Sequence, residues 1–128
     1  MRWLAYLWAS PTTLLGALMI PVALLSGGRV RAVLGIIEVY GGAVALFLRH
    51  VVPLRGGATA MTLGHVVLGL NREALDRTRA HELVHVRQCE RWGPLFIPAY
   101  LLAGAWALLR GRDPYRDNPF EREAFAKA

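Results

Sequence analysis

From Trp3 to Leu25 the chain runs 23 residues without a formal charge, and this run limits the fold more than any other feature. As a helix it is long enough to cross a hydrocarbon core of about 30 Å. Pro11 and Pro21 interrupt it; such prolines are tolerated where neighbours or local adjustments satisfy the freed backbone groups. Trp3, Tyr6 and Trp8 fall where amphipathic rings favour a headgroup boundary. A cleaved leader is the competing reading, because Arg2 precedes the apolar run, but the run is long and no small-x-small site closes it. We therefore expect residues 1–26 to be a hydrophobic membrane anchor and residues 27–128 a single domain, since 128 residues leave room for one core. The expected location is a membrane, inner or plasma, reached by that single N-terminal anchor. Arg2 against Arg29 and Arg31, taken literally, leaves the rest of the chain in the cytoplasm.

Apolar residues make up 55% of the chain and charged ones 19%, against a typical charged share of about 25%. Some apolar surface is thus expected to face lipid. The net charge of +6 comes almost entirely from arginines scattered between Arg2 and Arg122. No clustered basic stripe with interleaved aromatics marks a nucleic-acid site; anionic lipid headgroups explain the excess instead. Cys89 is the single cysteine, so no intrachain disulfide and no cysteine-rich zinc cluster can form. Its bland reading is that of a small packed residue.

Beyond Gly27 glycines become frequent and β-branched runs appear, at Val30 to Val39 and Met61 to Leu68. Two to four short strands are expected there, with turns at Gly41-Gly42 and Gly56-Gly57. Ala43 to Val52 reads equally as strand or helix. Glu38 argues against a second membrane span in this region, because a carboxylate at the bilayer centre is costly. After Leu70 the pattern turns helical, with Asp76 as the expected N-cap, a helix over Arg77 to Trp92 and a stop at Gly93-Pro94. Leu95 to Leu109 is uncharged but only 15 residues long and broken by Pro98, which suits a buried or interfacial helix. Arg110 to Pro119 reads as a loop. Glu121 to Lys127 reads as a last short helix entered through Asn118-Pro119.

The helix over Arg77 to Trp92 carries His81-Glu82-Leu83-Val84-His85. Residues four apart share a helix face, so the two imidazoles converge on one cation with Glu82 beside them. Zinc suits such donors, because nitrogen and carboxylate ligands in a tetrahedral shell leave one position for water. Its charge brings the pKa of that water to roughly 7, and Glu82 can accept the proton. In a chain with four His and six Glu, the motif arises by chance roughly 0.006 times. A third protein ligand is needed. Downstream candidates are Glu90, Asp113, Asp117, Glu121 and Glu123; Glu90 lies five residues past His85, about 140° off its face.

These stretches resemble the gluzincin zinc peptidases, most of all the membrane-bound members related to the CAAX prenyl endopeptidases. Leu63 to Gly69 resembles the edge strand that precedes their active helix and pairs with the substrate backbone. Thr78 to Gln88 resembles the metal-binding helix, and Glu121-Arg122-Glu123-Ala124 resembles the Glu-x-x-Ala-Asp segment that supplies the third ligand. The resemblance spans Leu63 to Ala128. It implies His81, His85 and Glu121 as ligands of one Zn2+, with Glu121 preferred over Glu123, and Glu82 as the catalytic base. Phe125 stands where the family has the aspartate that orients its first histidine, a departure at a position whose loss typically costs about 10- to 100-fold in metal affinity or activity.

His50 and His65 read as packed or solvated histidines. Tyr100 and Tyr115 read as structural, with an oxyanion role as the sharper alternative. Trp92, Phe96 and Trp106 suit core or lipid contact, and Gln88 suits the site or the surface alike. The expected architecture is α+β: an N-terminal membrane helix, a small sheet with an exposed edge strand, the histidine-bearing helix, an apolar helix and a short C-terminal ligand helix. The expected function is zinc-dependent peptide-bond hydrolysis at a membrane, acting on a peptide or protein held by strand addition near Met61 to Leu68. Lipid is the expected second partner and nucleic acid is not expected. The alternatives are an inactive zinc-binding membrane protein and a sensor or interaction protein.

Overall fold

The computed structural model describes residues 2–50 and 59–128. The chain is α+β. Helices α1 (Arg2–Ala17) and α2 (Met19–Leu25) lead into strands β1 (Arg29–Val33) and β2 (Ile36–Tyr40), helix α3 (Gly42–His50), and strands β3 (Ala60–Leu63) and β4 (Val66–Gly69). Helix α4 (Arg72–Trp92), a 3-10 turn (Gly93–Leu95), α5 (Phe96–Leu109) and α6 (Pro119–Lys127) follow. The four strands form one mixed sheet in the order β1-β2-β4-β3. Both hairpins are antiparallel, and β2 and β4 join them in parallel.

The four strands fall within the two to four expected, and each β-branched run is a hairpin. Val30 to Val39 turns at Leu34-Gly35, where φ is 50° and 83°, the positive pair that a tight turn between twisted strands demands. Met61 to Leu68 turns at Gly64 (φ 65°), where a Cβ would collide with Thr13. The stretch expected as the edge strand, Leu63 to Gly69, is therefore corrected: the edge is β3, and β4 lies inside the sheet with partners on both sides. Ala43 to His50 proves helical within α3, while Val51, Val52 and the Gly56-Gly57 turn fall outside the described residues.

Strand alternation sends one set of side chains to each face of the sheet. Val39, Val66 and Leu68 pack with Ala23, Val44 and Leu48 from α2 and α3. Ile36 and Val67 pack against Leu75 and Val86 of α4. Fully burying such a side chain contributes roughly 1.5–3 kcal/mol, so both layers are needed. On the α4 face sits Glu38, nearly inaccessible, held by Arg31 Nε at 2.8 Å and by Arg79 at 2.9 and 3.0 Å.

That cluster explains where α4 begins. Asp76 is not its cap: the carboxylate takes Arg31 and Arg79, each at 2.7 Å. Asn71 caps instead, its side chain accepting from the Ala74 amide at 2.8 Å, and the helix starts at Arg72. It stops where expected, at Gly93, whose φ of 57° no β-carbon-bearing residue adopts easily.

The N-terminal helix turns small residues inward, with Ala9, Thr12 and Gly16 all buried. A Cβ on Gly16 would overlap Val66, so the backbone approaches the sheet closely. Trp8 donates its indole N–H to Arg91 O at 3.1 Å, and Tyr6 its hydroxyl to Gly35 O at 2.6 Å. Trp3, Leu4, Leu7, Leu14, Leu15 and Leu18 point outward and are exposed. Helix α5 repeats the arrangement, with Phe96, Gly104 and Ala107 inward and Leu101, Leu102, Leu108 and Leu109 outward. By length and composition, two helical stretches are long and apolar enough to cross a membrane, Trp3–Leu25 and Arg72–Leu109.

Candidate metal centre

Three positions of α4, His81, His85 and Gln88, are spaced by four and three residues and so stand in one line on the helix. Helix α6 lies across that line. Its start is fixed by Asn118, which is fully buried: the side-chain oxygen accepts from the Phe120 amide at 3.0 Å and the amide group donates to Tyr100 O at 3.1 Å. Pro119 occupies the first turn, where a missing N–H is harmless. Ala124 is buried and small, which lets α6 approach α4.

Glu121 is thereby carried to both imidazoles. Its Oε1 lies 2.9 Å from His81 Nε2 and 3.0 Å from His85 Nε2. Donor atoms of the three side chains all lie within 4.8 Å of one another. Ligands about 2.0 Å from a shared tetrahedral zinc stand roughly 3.3 Å apart, a spacing that the two N···O separations fall just short of. Glu123, the alternative ligand, turns to the other side and takes Gln88 Nε2 at 2.7 Å, Arg91 at 3.0 Å and Lys127 at 2.9 Å.

Gln88 settles the His85 tautomer. Its Nε2 faces two groups that only accept, Phe120 O at 2.9 Å and the Glu123 carboxylate. The amide orientation is thus forced, and its Oε1 must be the atom 2.8 Å from His85 Nδ1. Nδ1 carries the proton and Nε2 presents its lone pair toward Glu121, the arrangement a histidine ligand requires. Without a cation, a second proton on Nε2 bridges to the carboxylate. Burial pulls the His85 imidazole down, but the bond to Glu121 and the charges of Glu121 and Glu82 outweigh it, so its pKa ends above the ordinary value. Burial likewise pushes the Glu121 carboxyl up, yet hydrogen bonds from His81, His85 and Tyr100 bring it down to about 2.

Glu82 is buried, and its Oε1 accepts from the Thr62 hydroxyl at 2.8 Å. Burial raises its pKa above the usual carboxylate range, against the opposing pull of His85, Thr62 and His81. Thr62 belongs to β3, so one bond joins the edge strand to the motif glutamate. The sequence gives no sign of this pair, because residues twenty apart on a strand and a helix share no periodicity.

Other singled-out residues find definite places. Tyr100 donates to Glu121 Oε2 at 2.6 Å, opposite the atom that meets the histidines. Phe125 packs its ring on His81, centroids 4.4 Å apart, and Tyr115 meets Phe125 edge-on. Trp92 and Phe96 meet Phe120, while Trp106 is exposed. His50 is exposed at the end of α3. His65 is buried, stacked on Tyr6, and bonded through Nε2 to Glu90 at 2.7 Å, while its amide donates to Thr13. The same bond accounts for Glu90, which lies away from the metal-ligand set. Cys89 is fully buried, and burial pushes its thiol up to about 12, so it is inert packing.

Compared with known protein families, curated proteins and solved structures, the chain matches none.

Proposed function

We propose that this chain holds zinc through His81, His85 and Glu121 and hydrolyses peptide bonds beside a membrane. One observation carries the reading: two Nε2 atoms of a single helix and a carboxylate oxygen from a distant one gather within 4.8 Å of one another, with Glu82 on the same helix. Bound zinc would supply Lewis acidity, which activates water and polarises a carbonyl.

The chain's own groups divide the remaining work. Glu82 accepts a proton from the attacking water and returns it to the leaving amine; a carboxyl held above the ordinary carboxylate range by burial suits both transfers. Thr62 fixes the direction of that carboxylate. Gln88 and Tyr100 hold His85 and Glu121 in place. An extended peptide would add to the outer edge of β3, which has no strand beside it among the described residues. Exposed leucines on α1 and α5 support a bilayer as the setting of this work.

The second reading, a zinc-holding protein without hydrolytic activity, is favoured by one contact: a phenylalanine ring, rather than a polar group, packs on His81. The detergent-purified protein distinguishes the two. Metal analysis and cleavage of a peptide library are measured for the natural chain and for Glu82→Gln, Glu121→Ala and Glu123→Ala. Glu82→Gln is expected to keep zinc and lose cleavage, and Glu121→Ala to lose most of the zinc. Zinc without cleavage in the natural chain supports the second reading, and a natural chain without zinc sinks both.

A further inference from the structure

Away from the metal centre, the end of α5, the following loop and the start of α6 border an open cleft of about 280 Å³. Its polar lining is Arg110, Arg112, Arg122 and Asp117, with Trp106 as one wall. None of the three guanidinium groups meets a carboxylate among the described residues; that of Arg110 lies 5.6 Å from the Trp106 ring. Asp117 already accepts from the Asp113 amide at 2.9 Å. Three cations against one carboxylate leave the cleft with a surplus of two positive charges.

Hydrogen bonds fix the backbone that carries these side chains. Gly111, at φ 71°, closes α5 with the Arg112 amide on Ala107 O at 2.8 Å and its own amide on Leu108 O at 3.0 Å, the paired bonds of a glycine-terminated helix. Asp113 Oδ1 accepts from the Tyr115 and Arg116 amides, both at 2.8 Å. Gly104 lies against Pro114, so the loop packs back on α5. Guanidinium groups on a fixed backbone match a phosphate's geometry, because their planar forks donate in pairs.

We propose that this cleft binds the phosphate of an anionic phospholipid headgroup. Phosphate chemistry follows from the three guanidinium groups that meet no carboxylate, and the lipid source follows from what adjoins them. Leu101, Leu102, Leu108 and Leu109 are exposed on the helix that ends at Arg110, and Trp106 stands at that end, the residue type enriched between acyl chains and headgroups. A lipid docked there lays its chains along the leucines and its phosphate among the arginines. The inference rests on membrane association of α5 and is independent of hydrolysis.

Native mass spectrometry of the full chain in a neutral detergent tests it, with equimolar phosphatidylglycerol and phosphatidylcholine added. The natural chain is expected to retain one phosphatidylglycerol in preference to phosphatidylcholine. Substituting Arg110→Gln, Arg112→Gln and Arg122→Gln together should lower that retention about tenfold or more, and Arg112→Gln alone should lower it partially if the triple variant folds poorly. Replacing the exposed Arg72, Arg77 and Arg87 with glutamine removes the same charge elsewhere and should leave retention intact. Equal loss in both triple variants would reduce the effect to net charge and overturn the site. Displacement of the lipid by a comparable concentration of inorganic phosphate would overturn the lipid assignment. Zinc content, measured in parallel, should not change.

Discussion

Replacing Gln88 with leucine isolates the role of the amide that orients His85. Leucine is close in size but makes none of the three bonds, to His85 Nδ1 at 2.8 Å, Phe120 O at 2.9 Å and Glu123 at 2.7 Å. Glu123 keeps Arg91 and Lys127 and the Phe120 carbonyl lies within helix α6, so one buried group loses its partner, the His85 imidazole N–H. An unsatisfied buried group costs about 1–3 kcal/mol, so destabilisation of that size is expected, and a thermal midpoint lower by roughly 5–10 °C. Zinc affinity measured against a competing chelator should also fall by about 10- to 100-fold, equivalent to about 1.4–2.7 kcal/mol. The two readouts separate orientation from packing. A variant that unfolds earlier yet binds zinc within about twofold of the natural chain would refute the claim that Gln88 positions the ligand.

Tyr100→Phe removes a hydrogen bond to an ionised carboxylate, so apo stability should drop by about 1.5–3 kcal/mol, read by thermal unfolding in the presence of chelator. Asn71→Ala should cost about 1 kcal/mol through loss of the α4 cap, whereas Asp76→Ala, whose partners are half-exposed ion pairs, should cost less than about 1 kcal/mol; the reverse order would return the helix start to Asp76. The Glu123 carboxyl is held down at about 2 by Gln88, Lys127 and Arg91. Because its folded pKa lies below the unfolded one, its stabilisation is present above about pH 4.5 and is lost as pH falls toward about 2. Glu123→Gln should flatten stability across that window in an acid titration.

Local signals carried some of this structure and long-range ones did not. The Gly93-Pro94 stop and the Asn118-Pro119 start are readable because capping chemistry acts over a few residues. The first turn of α4 was hidden because Asp76 is a good cap by composition but is drawn into pairs with Arg31 and Arg79, the former 45 residues away. The number of strands was legible but their turns were not, because these rest on positive φ at Leu34, Gly35 and Gly64 within otherwise β-branched runs. The helix spacing of His81 and His85 shows one face of the site. Gln88 shares that face by the same spacing, whereas Tyr100 and Thr62 become part of the site only when α5 and β3 are set against α4, and no pattern in the chain announces those meetings. His65, read as packed or solvated, is buried among partners from α1 and α4 that lie far off in sequence.

The contact of α1 with the rest of the chain has a practical corollary. Ala9 shares a cluster with Cys89 and Phe96, Ala23 packs among the sheet residues, and Trp8 closes over Gly93. A shortened gene product begun at Gly27 to gain solubility would lack a wall of its own interior and expose the very apolar surface the deletion was meant to remove. Detergent or nanodisc preparations that retain the first helix are the form in which this chain keeps its inside.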